Sequence, residues 1–86
     1  MTDDPLQFPC DFPIKVMGER RDDYAQTIGE IILAHAPDFD LAAMEMRASS
    51  GGRYLSLTCT IRATSKAQLD ALYTALSRHP WVRVVL

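Results

Sequence analysis

The side chains that could carry out chemistry in this 86-residue chain are two cysteines, two histidines and one charged turn. Cys10 and Cys59 lie far apart and lack the Cys-x-x-Cys spacing of a redox or metal site, so we expect two reduced structural thiols. His35 and His79 each stand where a predicted helix ends, a position in which a cation interacts favourably with the helix dipole. The sequence therefore predicts no catalytic residue, no metal and no cofactor.

The charged turn Glu19–Asp23 is the segment best suited to hold an anion. Arg20 or Arg21, together with the first backbone amides of the following helix, would bind a carboxylate or a phosphate. The three acidic residues of the same turn offset that positive charge. A solvated cluster that caps the helix is therefore the alternative interpretation.

The composition limits the partners of the chain. A net charge of −2 and an isoelectric point near 5.5 argue against nucleic acid, because no overall positive field attracts a phosphate backbone. No apolar run approaches the roughly 20 residues that a membrane-spanning helix needs. Asp3 and Asp4 stand where a signal peptide would carry Lys or Arg, so we expect a cytoplasmic protein.

The hydrophobic periodicity defines the elements that must position these residues. Alternation of apolar and polar residues predicts strands over 11–18, 41–48, 54–63 and 81–86, and apolar stripes of period 3.6 predict helices over 24–36 and 66–79. Asp22 is the expected N-cap of the first helix, and Ser65 with Gln68 forms a capping box for the second. Gly18 should end the first strand, and Gly51-Gly52 should supply positive φ in a hairpin.

This βαββαβ order predicts an α+β, ferredoxin-like sandwich: a four-stranded antiparallel sheet in the order 4-1-3-2, with both helices on one face. Residues 1–10 read as an arm pinned by Leu6 and Phe8, and residues 11–86 as a single domain. The alternation leaves a mainly polar set of side chains on the open face: Lys15, Met17, Glu45, Arg47, Tyr54, Ser56, Thr58, Thr60 and Arg62.

An ordered set of short motifs resembles the YbeD family, small bacterial proteins of uncharacterised function. The motifs are Phe8-Pro9, Lys15-Val16-Met17-Gly18, His35-Ala36-Pro37, Ser49-Ser50 with Gly52 and Tyr54, Ala63-Thr64, Leu72-Tyr73 and Val82-Arg83-Val84-Val85-Leu86. The resemblance implies a fold close to ACT regulatory domains, which bind amino acids and pair. Some members are labelled lipoate regulatory proteins. Met17-Gly18 then matches the place where a ligand approaches the backbone of ACT-type domains.

The sequence and the resemblance together predict a non-catalytic regulatory or protein-interaction module. We expect a homodimer or a complex with a partner protein, formed edge to edge through the second strand or the last one. An amino acid or a lipoate-like molecule is the expected small ligand. The residues predicted to contact ligand or partner are Met17, Gly18, Arg20, Arg21, Tyr54 and Arg62.

Two other functions stay open at this point. The open face around Tyr54 would bind RNA if bases stacked on that ring, with Lys15, Arg47, Arg62 and Arg83 adding a modest positive charge that Glu45 dilutes. An enzyme of unrecognised chemistry is the last alternative. Acylphosphatase activity, which occurs on this fold, needs an asparagine, and the chain contains none.

Overall fold

The computed structural model describes residues 7–86, and these residues adopt the predicted βαββαβ order. The elements are β1 (Cys10–Glu19), α1 (Tyr24–His35), a 3₁₀ helix (Leu41–Ala43), β2 (Glu45–Ala48), β3 (Tyr54–Ala63), α2 (Lys66–Arg78) and β4 (Val82–Val85). The strands form one antiparallel sheet in the order β2-β3-β1-β4, which is 4-1-3-2 counted from the other edge. The predicted fold class is confirmed. The expected anchor Leu6 lies outside the described residues.

The core lies between the sheet and the two helices. Along the central strands, Ile14 is paired with Cys59 and Val16 with Leu57, and all four side chains are buried. The helices contribute the apolar stripes that their periodicity predicts: Tyr24, Ile28 and Ile32 from α1, and Leu69, Leu72 and Leu76 from α2. Burial of one face of each strand fixes the register, because a shift of one residue would turn every apolar side chain to water.

The predicted strand over 41–48 was wrong in its first half. Residues Leu41–Ala43 form a 3₁₀ helix, and β2 begins only at Glu45. The carboxylate of Asp40 accepts a hydrogen bond from the amide of Ala42 at 2.9 Å, which stabilises a local turn against an extended strand. The side chain of Leu41 then packs where a Cβ on Gly29 of α1 would otherwise stand.

Three smaller expectations also need correction. Strand β1 continues through Gly18 to Glu19, whose amide donates to the carbonyl oxygen of Trp81 at 2.9 Å. The N-cap of α1 is Asp23 rather than Asp22, and its side chain makes no capping hydrogen bond. In the hairpin between β2 and β3, only Gly52 has a positive φ, at 68°.

The predicted cap of α2 is confirmed, with one difference. The hydroxyl of Ser65 accepts a hydrogen bond from the amide of Gln68 at 3.0 Å, as a capping box requires. The side-chain oxygen of Gln68 returns to the amide of Thr64, at 2.7 Å, instead of to the amide of Ser65. Gln68 also donates to the carbonyl of His35 at 2.9 Å and so links the two helices.

Candidate functional site

The face of the sheet opposite the helices carries the predicted polar side chains in ordered rows. In one row, Lys15 of β1 is opposite Thr58 of β3, and Thr58 is opposite Glu45 of β2. In the next row, Ser56 of β3 lies between Met17 and Arg47. The antiparallel register therefore places polar and charged side chains from three strands on one continuous surface, which we call the open face.

Two shallow depressions on the open face share Lys15, Arg47 and Ser56. The first, of about 280 Å³, is completed by Glu45, Met46 and Thr58. The second, of about 190 Å³, is completed by Met17, Ala48, Ser49, Tyr54 and Leu55. The structure thus brings two of the predicted contact residues, Met17 and Tyr54, to the same depression.

Arg62, another predicted contact residue, lies far from that depression. It stands near the opposite end of β3 from Tyr54, roughly 26 Å away at the rise of an extended strand. Its guanidinium binds the carboxylate of Asp11 at 3.2 Å, in a solvent-exposed pair that contributes little to stability. The structure therefore does not assemble Arg62 with the other predicted residues.

Gly18 is buried, and the space beside it is already filled by the protein. A Cβ at this position would lie 2.6 Å from the hydroxyl and 2.9 Å from Cε1 of Tyr24, and would also meet the carbonyl oxygen of Trp81. A glycine is needed here because α1 and the segment before β4 approach the strand closely. On this side, the neighbour of Gly18 is therefore the chain itself.

The phenol of Tyr24 is buried beside Gly18 and is chemically quiet at neutral pH. Burial, and to a smaller extent the neighbouring Cys59, raises the pKa of Tyr24 to about 12. Burial likewise raises the pKa of the Cys59 thiol to about 11. Neither group is an activated nucleophile or base, and both belong to the core.

The two arginines of the charged turn hold other parts of the same chain. Arg20 donates to the carbonyl of Gly52 at 3.3 Å, and its backbone amide donates to the carbonyl of Arg53 at 3.2 Å. Arg21 donates to the carboxylate of Glu19 at 2.9 Å. A ligand anion at this turn would therefore have to displace existing partners.

A cluster around Trp81 was missed by the sequence reasoning. The guanidinium of Arg21 lies 4.6 Å from the centroid of the Trp81 ring, and the ring of His79 meets the indole edge-on at 5.1 Å. Glu19 completes the cluster by binding Arg83 at 2.9 Å as well as Arg21. The only signal in the sequence was the spacing of His79 and Trp81 around Pro80, which does not reveal the arginines that join them.

His79 stands at the end of α2, as predicted, and its ring contacts the chain that follows the helix. Its Nδ1 accepts a hydrogen bond from the backbone amide of Trp81 at 3.2 Å. His35 differs, because its Nδ1 lies 3.0 Å from the carbonyl of Ile31 and must donate to it.

Metal and membrane functions receive no support from the described part of the chain. Within residues 7–86, no three His, Cys, Asp or Glu side chains are grouped so as to hold a metal ion. In the same residues, no helix has the length and apolar character needed to cross a membrane. The cytoplasmic location stays a prediction.

Comparison with known proteins gives the chain a family. The family described as "Protein of unknown function (DUF493)" matches residues 3–86. UPF0250 protein RSc0326 of Ralstonia nicotianae is 57% identical over 81 residues, which are 94% of this chain and 84% of the relative. UPF0250 protein NE1487 of Nitrosomonas europaea is 52% identical over 87 residues, 100% of each chain.

Two solved structures share the fold. The solution structure of protein HP0495 from H. pylori matches with a TM-score of 0.77 at 15% identity, over 100% of this chain and 94% of that one. The ACT domain from the GTP pyrophosphokinase of Chlorobium tepidum matches with a TM-score of 0.66 at 19% identity, over 90% and 97%. At these identities the likeness shows the fold alone. The family match over residues 3–86 and the relatives at 57% and 52% identity establish that the chain belongs to the DUF493 family of proteins of unknown function, the YbeD family that its motifs resemble.

Proposed function

We propose that the protein is a non-catalytic interaction module that pairs with a second copy of itself along the free edge of β4. The observation that carries this proposal is the backbone pattern of that strand. Lys15 and Leu86 exchange both of their backbone hydrogen bonds, at 3.0 and 2.8 Å. In an antiparallel ladder the next residue along, Val85, therefore directs its N–H and C=O away from β1, toward solvent.

The side chains of β4 suit pairing better than those of β2, the other edge strand. Val84 is 42% exposed and Leu86 is 68% exposed. The one charge of β4, on Arg83, is bound by Glu19. Strand β2 instead carries the exposed charges of Glu45 and Arg47, and charged side chains on an edge strand discourage the addition of another strand.

A regulatory role with a small ligand belongs to the same proposal. Its support is the likeness to an ACT domain from a GTP pyrophosphokinase. An amino acid or a lipoate-like molecule is the proposed ligand class, with Met17 and Tyr54 as the contacts that lie together. Arg20 and Arg21 would contact a ligand only by exchanging their present partners, and Gly18 would contribute through the close packing that it permits. Arg62, which lies far from this depression, is proposed as a contact for a partner protein and not for the small ligand.

Sedimentation equilibrium of four variants tests the pairing. Val85→Pro removes the outward N–H of β4, and Val85→Ala removes the same side-chain packing but keeps the N–H. Met46 is the matched position on β2. The amide of Ser49 donates to the carbonyl of Tyr54 at 2.9 Å, so it faces β3. Backbone amides of an antiparallel strand face its neighbour at every second residue, and the amide of Met46, three residues before Ser49, therefore faces solvent. Met46→Pro and Met46→Ala are therefore the controls.

We expect dimers for the wild type, Val85→Ala and both Met46 variants, and a monomer for Val85→Pro with an unchanged far-ultraviolet circular dichroism spectrum. Proline is tolerated where a strand's N–H faces solvent, so the fold should survive. A wild-type monomer at several hundred micromolar would refute pairing. A dimer that Met46→Pro abolishes and Val85→Pro does not would place the interface on β2.

A further inference from the structure

The open face contains two cations that the protein itself leaves unbound. The ion pairs formed by residues 7–86 near this face join Arg62 to Asp11, and join both Arg21 and Arg83 to Glu19. Lys15 and Arg47, both exposed, form no ion pair with any described residue. The unbound positive charge of the open face is therefore concentrated at these two side chains.

The sheet register places the two cations on either side of one pair of hydroxyl groups. Lys15 is opposite Thr58, and Arg47 is opposite Ser56, so the two cations lie on strands that flank β3 and are offset by two residues. Standard strand spacings put their Cα atoms roughly 12 Å apart. Two long side chains at that separation can reach a single group held above Ser56 and Thr58, whose hydroxyls can both donate hydrogen bonds.

The surroundings of this site differ from one side to the other. The depression toward Glu45 is lined mainly by charged groups and hydroxyls. The adjoining depression adds the side chains of Met17 and Tyr54, which lie on the same face of the sheet as Ser56. A ligand with a charged head and an apolar or aromatic body would match both, with its head between the cations and its body over Met17 and Tyr54.

The charge of the site selects the charge of the head group. Lys15 and Arg47 supply two positive charges, and Glu45, opposite Thr58, supplies one negative charge at the rim. A monoanion neutralises the remaining positive charge, whereas a dianion would be repelled by Glu45. The guanidinium fork of Arg47 matches the two oxygens of a carboxylate, and Lys15 adds a second charge-assisted hydrogen bond.

We infer that the open face is a binding site for a small monocarboxylate with an apolar or aromatic body, clamped between Lys15 and Arg47 above Ser56 and Thr58. The inference deepens the ligand-binding part of the proposed function and rests on it. It does not require pairing along β4, because none of these four residues belongs to that strand. Binding measured on the wild type and on Val85→Pro therefore separates the two proposals.

The test is a titration with 3-phenylpropionate followed by ¹H–¹⁵N NMR. We expect saturable shifts at Ser56, Thr58 and Arg47 with a dissociation constant in the millimolar range, since an open site yields little binding energy per ligand atom. Three companion ligands test the chemistry: the neutral 3-phenylpropionamide, acetate without the aromatic body, and phenyl phosphate, which is a dianion at pH 8. The amide loses a charged hydrogen bond, acetate loses the apolar contact, and phenyl phosphate brings a second negative charge close to Glu45. Each should therefore bind at least about tenfold more weakly than 3-phenylpropionate.

Matched charge variants locate the site. Lys15→Gln and Arg47→Gln should each weaken 3-phenylpropionate about tenfold, the usual consequence of losing a charged hydrogen bond. Arg62→Gln makes the same change of net charge on the same face but removes a cation bound to Asp11, so it should change the affinity less than twofold. Glu45→Gln should strengthen phenyl phosphate about tenfold. All four positions are exposed, which leaves the core intact.

Several results would overturn the inference. The absence of saturable shifts at Ser56 and Thr58 is one, and equal binding of the acid and its amide is another. An Arg62→Gln variant that loses as much affinity as Arg47→Gln would reduce the effect to general electrostatic attraction. Loss of binding in Val85→Pro alone would assign the ligand to the paired edge instead of to the open face.

Discussion

Adding one methyl group at position 18 should destabilise this protein severely. In Gly18→Ala the new Cβ would lie 2.6 Å from the hydroxyl and 2.9 Å from Cε1 of Tyr24, closer than unstrained atoms approach. Tyr24 is fully buried and cannot swing into solvent. Overpacking of this kind costs about 2 kcal/mol, a large part of the roughly 3–5 kcal/mol that a core of this size supplies.

The assay is urea unfolding followed by the fluorescence of Trp81, together with thermal unfolding by circular dichroism. A loss of about 2 kcal/mol should lower the melting temperature by roughly 8–16 °C in a domain of this length. Gly51→Ala is the matched control, because nothing lies within 4 Å of a Cβ at that position. Its φ is not positive, so alanine there should be neutral or stabilising by about 0.5 kcal/mol.

A double-mutant cycle tests the cause. Tyr24→Phe removes the hydroxyl, which is the side-chain atom nearest to the new methyl group, along with a long 3.5 Å hydrogen bond to the carbonyl of Val16. Gly18→Ala combined with Tyr24→Phe should therefore cost less than the sum of the two single changes, by roughly 0.5–1 kcal/mol. A Gly18→Ala variant as stable as the wild type would refute the claim that this glycine serves internal packing. Strict additivity in the cycle would refute the contribution of the Tyr24 hydroxyl and leave the carbonyl of Trp81 as the obstacle.

Three further predictions follow from the core and the caps. In the native protein, the half-buried Cys10 should react with Ellman's reagent and the buried Cys59 should not; release of both thiols at one rate would contradict the burial of the second. The folded state raises the pKa of Cys59 from 9.0 to about 11 and that of Tyr24 from 10.0 to about 12, so it favours both protonated forms. The free energy of unfolding, measured by urea titration, should thus be level up to pH 9 and then fall. Each group lowers it by on the order of 1.4 kcal/mol per pH unit, Cys59 between pH 9.0 and about 11 and Tyr24 between pH 10.0 and about 12. A free energy of unfolding that rises above pH 9 would contradict this prediction. Finally, Ser65→Ala should lower the free energy of unfolding in urea by about 1 kcal/mol, because the N-cap of α2 is lost, whereas Ser77→Ala within the same helix should not. Equal effects of the two substitutions would show that the cap does not stabilise the helix.

The fold was predictable because the apolar residues of the central strand β3 and of both helices all indicate the same buried face. The unbroken alternation of β3 and the apolar stripes of the two helices fix one buried face, and that face leaves a single arrangement for a βαββαβ chain. The start of β2 was not predictable in this way. There, one hydrogen bond from the Ala42 amide to Asp40, and the fit of Leu41 against Gly29, outweigh an alternation that looked like a strand.

The candidate site was predictable only in part. Alternation correctly placed Lys15, Met17, Arg47 and Tyr54 on one face, since side-chain direction in a strand follows from sequence position. Which cations remain unbound was not readable, because ion pairs such as Arg62 with Asp11 depend on the register between strands. The filling of the space beside Gly18 by Tyr24 and Trp81 likewise depends on how α1 and the chain before β4 pack, which no local pattern specifies.

The central claim, pairing along β4, is tested most directly by amide hydrogen exchange at two edge positions. In a dimer joined through β4, the amide of Val85 becomes hydrogen-bonded to the second copy, whereas the amide of Met46 stays open to water. Protection of Val85 should therefore rise with protein concentration, and Met46 should exchange rapidly at every concentration. Rapid exchange of Val85 from micromolar to millimolar protein would contradict the account, and concentration-dependent protection of Met46 in its place would move the interface to β2.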